Sequence, residues 1–214
     1  MKGMFRGFEN IGTDYGMIMA ILGGDDAGGG VIWAPQVITE AQDHGLVLGE
    51  NGVLYDSKKG ESLPEGIAPM RTLDDDQMAL FPYVTSAEFV PRFVARYWDM
   101  MAMADRQPAL VIDEDGMLKD RPGFSLELIR DGSLEDTSYT TDRHEILMVM
   151  RGHWTVALES DHVTLAPGDV FAVPPGMARK ITPSMSGEAS LFRVRNTDDP
   201  AGPTMAFETA APSR

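Results

Sequence analysis

Four histidines, no cysteine and a scatter of carboxylates bound the chemistry open to this 214-residue chain. The missing cysteines exclude a disulfide framework, a zinc ribbon, a thiolate iron–sulfur site and a cysteine nucleophile together. Gly23, Gly24 and Gly28 to Gly30 form a glycine-rich stretch, but Asp25 and Asp26 sit inside it and would repel phosphate. A flexible linker is the better reading. No nucleophile elbow or dinucleotide fingerprint competes with it.

Thirty-three acidic against eighteen basic residues give a formal charge of -15, which argues against nucleic acid or an anionic membrane as partner. The fifteen methionines form no helical stripe and read as core filler. A chain of this length buries about 70% of its unfolded surface, enough for a proper core. No apolar run reaches the roughly 18 residues of a membrane span, and the first residues lack a signal-peptide core, so a soluble, cytoplasmic protein is expected.

The pattern of elements changes near Gly123. Before it, Ala34 to His44 reads as a helix with Pro35 in the first turn, and Leu46 to Tyr55 as a hairpin around Asn51 and Gly52. Asp74 to Ala79 reads as a short helix. Thr85 or Ser86 caps a longer one in which Val90, Phe93, Val94, Tyr97, Trp98 and Met101 form one apolar stripe. After Gly123 the period is two. Strands are expected at 124–129, 138–141, 145–151, 154–159, 163–165, 169–173, 179–182 and 191–196, separated by Asp131-Gly132, Gly152, Asp161, Pro167-Gly168 and Pro174-Pro175-Gly176. Eight short strands in so few residues point to a closed or double-sheet antiparallel barrel, since closure removes exposed edges.

Two segments of this region resemble the paired motifs of the cupin superfamily. Glu145 and Gly152 keep the glutamate-to-glycine spacing of the first motif, and Gly168, Pro174 and Gly176 fit the second. The resemblance implies a mainly β fold, the cupin double-stranded β-helix or jelly-roll barrel, preceded by a helical and looped segment. It also implies where a metal would sit: two histidines before the glutamate and a third after the second motif. Here those positions are Tyr139, Thr141 and Arg179, so only Glu145 of the family's metal set is kept. His144 neighbours Glu145 and points to the opposite face, while His153 and His162 sit at turns. A guanidinium in the third position repels a divalent ion, so no metal and no cofactor is expected in this barrel, where the family would use iron or another divalent metal.

Tyr139, Thr141, Glu145 and Arg179 are then the candidate pocket, with no catalytic role assigned to any of them. Two readings stand side by side. Arg179 holds a small anionic or aromatic ligand, with Tyr139 and Thr141 as hydrogen-bonding groups, or Arg179 and Glu145 only satisfy each other. On the Glu145 strand both faces are apolar, with Leu147 and Val149 on one side and Ile146, Met148 and Met150 on the other. A cover is required on the second face, either the Phe93 to Met101 helix or another subunit, and a homodimer is expected.

The chain's start matches its end at one offset: Gly3, Met4 and Arg6 match Gly176, Met177 and Arg179, Asp25 and Asp26 match Asp198 and Asp199, and Gly29 matches Gly202. Asn10 falls where the second motif places a following asparagine. The expected organisation is therefore residues 1–30 as the final strands of a preceding barrel plus a linker, 31–122 as linker and cover, 123–200 as the cupin barrel and 201–214 as a tail. Such a plan resembles the C-terminal, metal-poor barrel of a two-barrel aromatic-ring dioxygenase of the gentisate type, with homogentisate dioxygenases more distant. Function is expected to be structural or ligand-binding within that relationship; the alternatives are a stand-alone sensor barrel, or a metal-free isomerase or epimerase using Tyr139 and Glu145.

Overall fold

The computed structural model describes residues 7–21, 33–81, 85–119 and 123–197. It divides into two compact units: of the described residues, 7–16, 20–21 and 33–81 belong to the first, and 17–19, 85–119 and 123–197 to the second. Of the matched residues, Gly3, Met4, Arg6, Asp25, Asp26, Gly29, Asp198, Asp199 and Gly202 lie outside the described ones.

The first unit is small. Helix α1 (Pro35–Asp43) starts on Pro35, whose fixed backbone angle and missing N–H suit a first turn, and it buries Ile38. Strands β1 (Leu46–Leu48) and β2 (Leu54–Asp56) pair antiparallel through a turn that contains Gly52 at φ 76°. Helix α2 (Asp75–Met78) opens on a capping box in which Asp74 accepts from the Gln77 N–H and the Gln77 side chain accepts from the Asp74 N–H.

The second unit begins with two helices where the sequence pattern predicts one. Helix α3 (Ser86–Phe93) is capped by Thr85, and helix α4 spans Tyr97–Met103. Pro91 removes a ladder N–H inside α3, and the chain is extended at Val94 before the second helix starts. The break resets the phase of the apolar stripe. Met100 and Met101 are buried as a result, whereas Trp98 is 62% exposed and Val94 is on the surface. Strands also begin earlier than Gly123: β3 (Ala109–Asp113) and β4 (Leu118–Lys119) join the barrel sheet, their short apolar run too brief to announce itself by period.

The barrel strands are β5 (Phe124–Arg130), β6 (Glu145–Arg151), β7 (Trp154–Ala157), β8 (His162–Leu165), β9 (Val170–Val173), β10 (Lys180–Pro183) and β11 (Ser190–Asn196). The segment expected as a strand at 138–141 narrows to one antiparallel bridge, Tyr139 with Arg179. Counting that bridge as the second of eight segments, one sheet runs first-eighth-third-sixth (β5-β11-β6-β9) and the other second-seventh-fourth-fifth (Tyr139-β10-β7-β8). That is jelly-roll order, and the fold is mainly β with a jelly-roll barrel preceded by helices and loops.

Alternation along each strand fills the barrel. Ile129, Leu147, Val149, Trp154, Val156, Leu165, Val173, Ile181 and Leu191 form a continuous buried core between the two sheets. Gly152 turns the chain from β6 to β7 at φ 67°, and a Cβ there would lie 2.8 Å from the Ala189 Cβ, so both backbone angle and space require glycine. Outside the large sheet, Met100 and Met101 of α4 and its C-cap residue Ala104 pack on Ala109, Val111 and Leu128. The Tyr97 and Ser190 hydroxyls, 2.7 Å apart, and the Arg130 Nη1 donating to the Met101 carbonyl at 3.2 Å fasten this cover. It reaches only part of the sheet. Met148 is buried, but Ile146 on β6 is 39% exposed and Val170 on β9 is 57% exposed, so the second face of the Glu145 strand is covered less fully than its composition predicts.

The register separates neighbouring residues energetically. Leu147→Ala is expected to destabilise the protein by about 2–5 kcal/mol and Ile146→Ala by less than about 1 kcal/mol, as read from urea unfolding midpoints. Equal costs for the two would refute the assigned register.

Candidate functional site

The large sheet carries charge on the same face as its core residues. Register places Arg193 of β11 opposite Glu127 of β5, and Arg195 opposite Glu145 of β6. Opposite charges directly across a sheet attract, and here they also face inward. The other sheet contributes Tyr139 and Arg179, held by reciprocal backbone hydrogen bonds, Tyr139 N–H to Arg179 O at 2.9 Å and Arg179 N–H to Tyr139 O at 3.0 Å. Six side chains from three strands, β5, β6 and β11, and from the Tyr139–Arg179 bridge thus meet in one cluster.

Glu145 is the centre of this group and is 1% exposed. Its Oε1 accepts from the Tyr139 hydroxyl at 2.8 Å and from Arg179 Nε at 3.1 Å, and its Oε2 accepts from Arg195 Nε at 2.8 Å. Arg193 Nε donates to Glu127 Oε2 at 2.6 Å, and its Nη1 donates to the Tyr139 oxygen at 3.3 Å. Tyr139 therefore accepts from one partner and donates to the next. Its ring lies 4.5 Å from the Arg179 guanidinium carbon, with those of Arg193 and Arg195 at 5.7 and 5.9 Å, within reach of cation–π attraction.

Burial first, then the Glu145 charge, pushes the Tyr139 phenol above its ordinary value, so it stays protonated and neutral. For Arg193, burial acts to weaken the charge, but Glu127 and the hydrogen bonds outweigh it and the guanidinium is held more firmly protonated than usual.

One donor is left over. Arg179 is fully buried, and its Nη1 donates to the Met177 carbonyl at 2.8 Å. Its Nη2 lies 3.0 Å from Glu145 Oε1 without hydrogen-bond geometry and has no hydrogen-bond partner among the described residues. A buried guanidinium N–H without an acceptor is costly, and an anion is the natural remedy. Exposure rises outward from it: Glu127 and Arg193 are nearly buried, while the Arg195 side chain is 26% exposed and marks the accessible side.

The four sequence-predicted residues separate here. Tyr139, Glu145 and Arg179 come together, and Glu145 pairs with Arg179, the arrangement that the second of the two sequence readings describes. Thr141 takes another role: its Oγ1 accepts from the Arg143 N–H at 3.1 Å and its carbonyl from the Gly176 N–H at 2.8 Å, committing it to the local turn. Glu127, Arg193 and Arg195 are functional candidates that motif reasoning passed over. Their signal lay in the alternation: Ser125, Glu127 and Ile129 share a face, as do Leu191, Arg193 and Arg195, and Ile129 and Leu191 are core.

A divalent metal does not fit this centre. Both Glu145 oxygens are taken by arginine or tyrosine donors, and three guanidiniums would oppose a cation. Among the described residues, no group of three His, Cys, Asp or Glu side chains converges as a metal site. No helix among them is long and apolar enough to cross a membrane.

No family model matches the chain, and no curated protein matches it. Solved structures overlap it in part. A cupin-2 domain protein from Shewanella frigidimarina aligns at 16% identity and TM-score 0.38, covering 49% of this chain and 95% of its own. The Clostridium difficile EutQ protein aligns at 15% identity and TM-score 0.34, over 43% and 68% of the two chains. KdgF from Halomonas sp. aligns at 21% identity and TM-score 0.32, over 36% and 73%. In each of these the alignment covers less than half of this chain, and the jelly-roll assignment rests on the strand order itself.

Removing the central carboxylate leaves buried guanidiniums uncompensated. Glu145→Gln is expected to cost about 3–5 kcal/mol in chemical denaturation, and a cost below about 1 kcal/mol would show that the network is not buried as described. Tyr139 gives a pH signature. Because its folded pKa is raised above the ordinary 10.0, its contribution is complete below that pH and is lost as pH rises through the folded value. Tyr139→Phe should remove this part of the alkaline loss of stability, measured by denaturation between neutral and strongly alkaline pH.

Proposed function

We propose that the barrel is a metal-independent binding site for a small anionic molecule, whose carboxylate is received by the Arg179, Arg193 and Arg195 cluster. The observation that carries this reading is the fully buried Arg179 Nη2, which lies 3.0 Å from Glu145 Oε1 but makes no hydrogen bond among the described residues. A carboxylate is the planar acceptor that guanidinium donors match best, and desolvation at this depth strengthens the contact. Arg195, the most exposed of the three, receives the ligand first.

The resemblance to two-barrel ring-cleaving dioxygenases makes aromatic acids the first ligands to try, with this barrel binding rather than performing oxygen chemistry. Tyr139 stacked beneath the guanidiniums supplies an aromatic wall for such a ring. An isomerase-like use of Tyr139 and Glu145 has less support. The phenol already donates its proton to Glu145, and its raised pKa makes it a poor base at neutral pH.

Thermal unfolding against a panel of aromatic and aliphatic carboxylates, with chloride as control, tests the proposal. A ligand at about 100 times its Kd stabilises by about 2.7 kcal/mol, a rise of about 5–10 °C in Tm for a chain of this size. Arg195→Gln should abolish that rise. No shift with any acid, or an undiminished shift in Arg195→Gln, would refute it.

A further inference from the structure

The charges of the cluster do not balance, and the imbalance has a definite size. Three guanidiniums, Arg179, Arg193 and Arg195, face two carboxylates, Glu127 and Glu145. Tyr139 is neutral by its raised pKa and adds nothing to the count. The surplus is one positive charge, in a protein whose overall formal charge is -15. The three most enclosed members of the group, Arg179, Glu145 and Arg193, have side chains no more than 7% exposed, so water and mobile ions screen the surplus poorly.

Resting on the anion-binding reading above, we infer that the site selects small monocarboxylates over dicarboxylates and other dianions, and that Glu127 is the residue that sets this selectivity. A single negative charge brings the buried group to neutrality. A second would add a negative charge beside Glu127 and Glu145, with no guanidinium left to receive it. Glu127 is the acid to which this role falls, because it receives Arg193 at 2.6 Å and lies only 3.6 Å from Arg195 Nη1, on the accessible side. Glu145, by contrast, is fully enclosed and already holds three donors. Glu127 thus occupies part of the donor capacity that a second carboxylate of a ligand would need.

Glu127→Gln keeps a carbonyl oxygen for Arg193 Nε but raises the surplus from one to two. The variant should then prefer dianions.

Isothermal titration at pH 8 with two matched pairs, benzoate with phthalate and acetate with malonate, reads this directly. In the native protein each monoanion is expected to bind at least about tenfold more tightly than its dianionic partner. In Glu127→Gln that order should reverse, with circular dichroism confirming the fold. A dianion binding the native protein as tightly as its partner overturns the selectivity while leaving the anion site standing. Absence of binding by all four probes overturns the anion site and this inference together. If Glu127→Gln does not fold, the native comparison still decides whether the site selects monoanions. Arg195→Gln, which lowers the surplus to zero, should then lose the monoanion binding; retained affinity would overturn the charge count.

Discussion

The Glu145 carboxylate is the constraint around which the polar end of this barrel is arranged. Buried at the start of β6, it would be untenable alone in a protein interior, and every neighbour contributes to making it tenable. Arg195 reaches it from the adjacent strand, Arg179 and Tyr139 from the opposite sheet. The need then propagates outward. Arg193, drawn in by the same alternation, requires Glu127, and Tyr139 is fixed between Arg193 and Glu145 as a hydrogen-bond relay. The arrangement solves the desolvation of one anion by gathering more cations than that anion needs.

The barrel interior is consequently divided along its length. One part is apolar, from Ile129 and Leu191 to Trp154 and Val156, and supplies the hydrophobic stabilisation. The other is charged and contributes less net stability than an apolar filling of equal volume would. On the proposed reading, the charged end is where an anion is received. Such a division resembles binding barrels in general, where a packed core holds a few convergent polar groups in place.

Much of this was legible in the sequence and some was not, for physical reasons. Period-two alternation with turn residues announced the barrel strands, because half-buried strands in a barrel have one dry face. Glu145, Arg179 and Tyr139 were legible from motif spacing, since the turns at Gly152 and Gly176 fix their distance along the chain. The pairs Glu127–Arg193 and Glu145–Arg195 join residues 66 and 50 positions apart along the chain, and register, not local pattern, brings them together. Thr141 had the right spacing, but a hydroxyl so close to the backbone found a nearer partner in the Arg143 N–H. The long helix failed as a reading because apolar spacing says nothing about Pro91 ending the hydrogen-bond ladder within the stripe.

The pairing of β5 with β11 joins the first and last strands of the barrel, and the Glu127 to Arg193 ion pair is formed across that seam. Such non-local contacts form only after the entropy of closing the long intervening loop has been met. Three of the charged side chains, Glu127, Arg193 and Arg195, therefore have no common location until the barrel shuts. On the proposed reading, completion of the anion site and closure of the chain are one event, so a bound anion would act as a latch on the seam, with no counterpart site in the open chain.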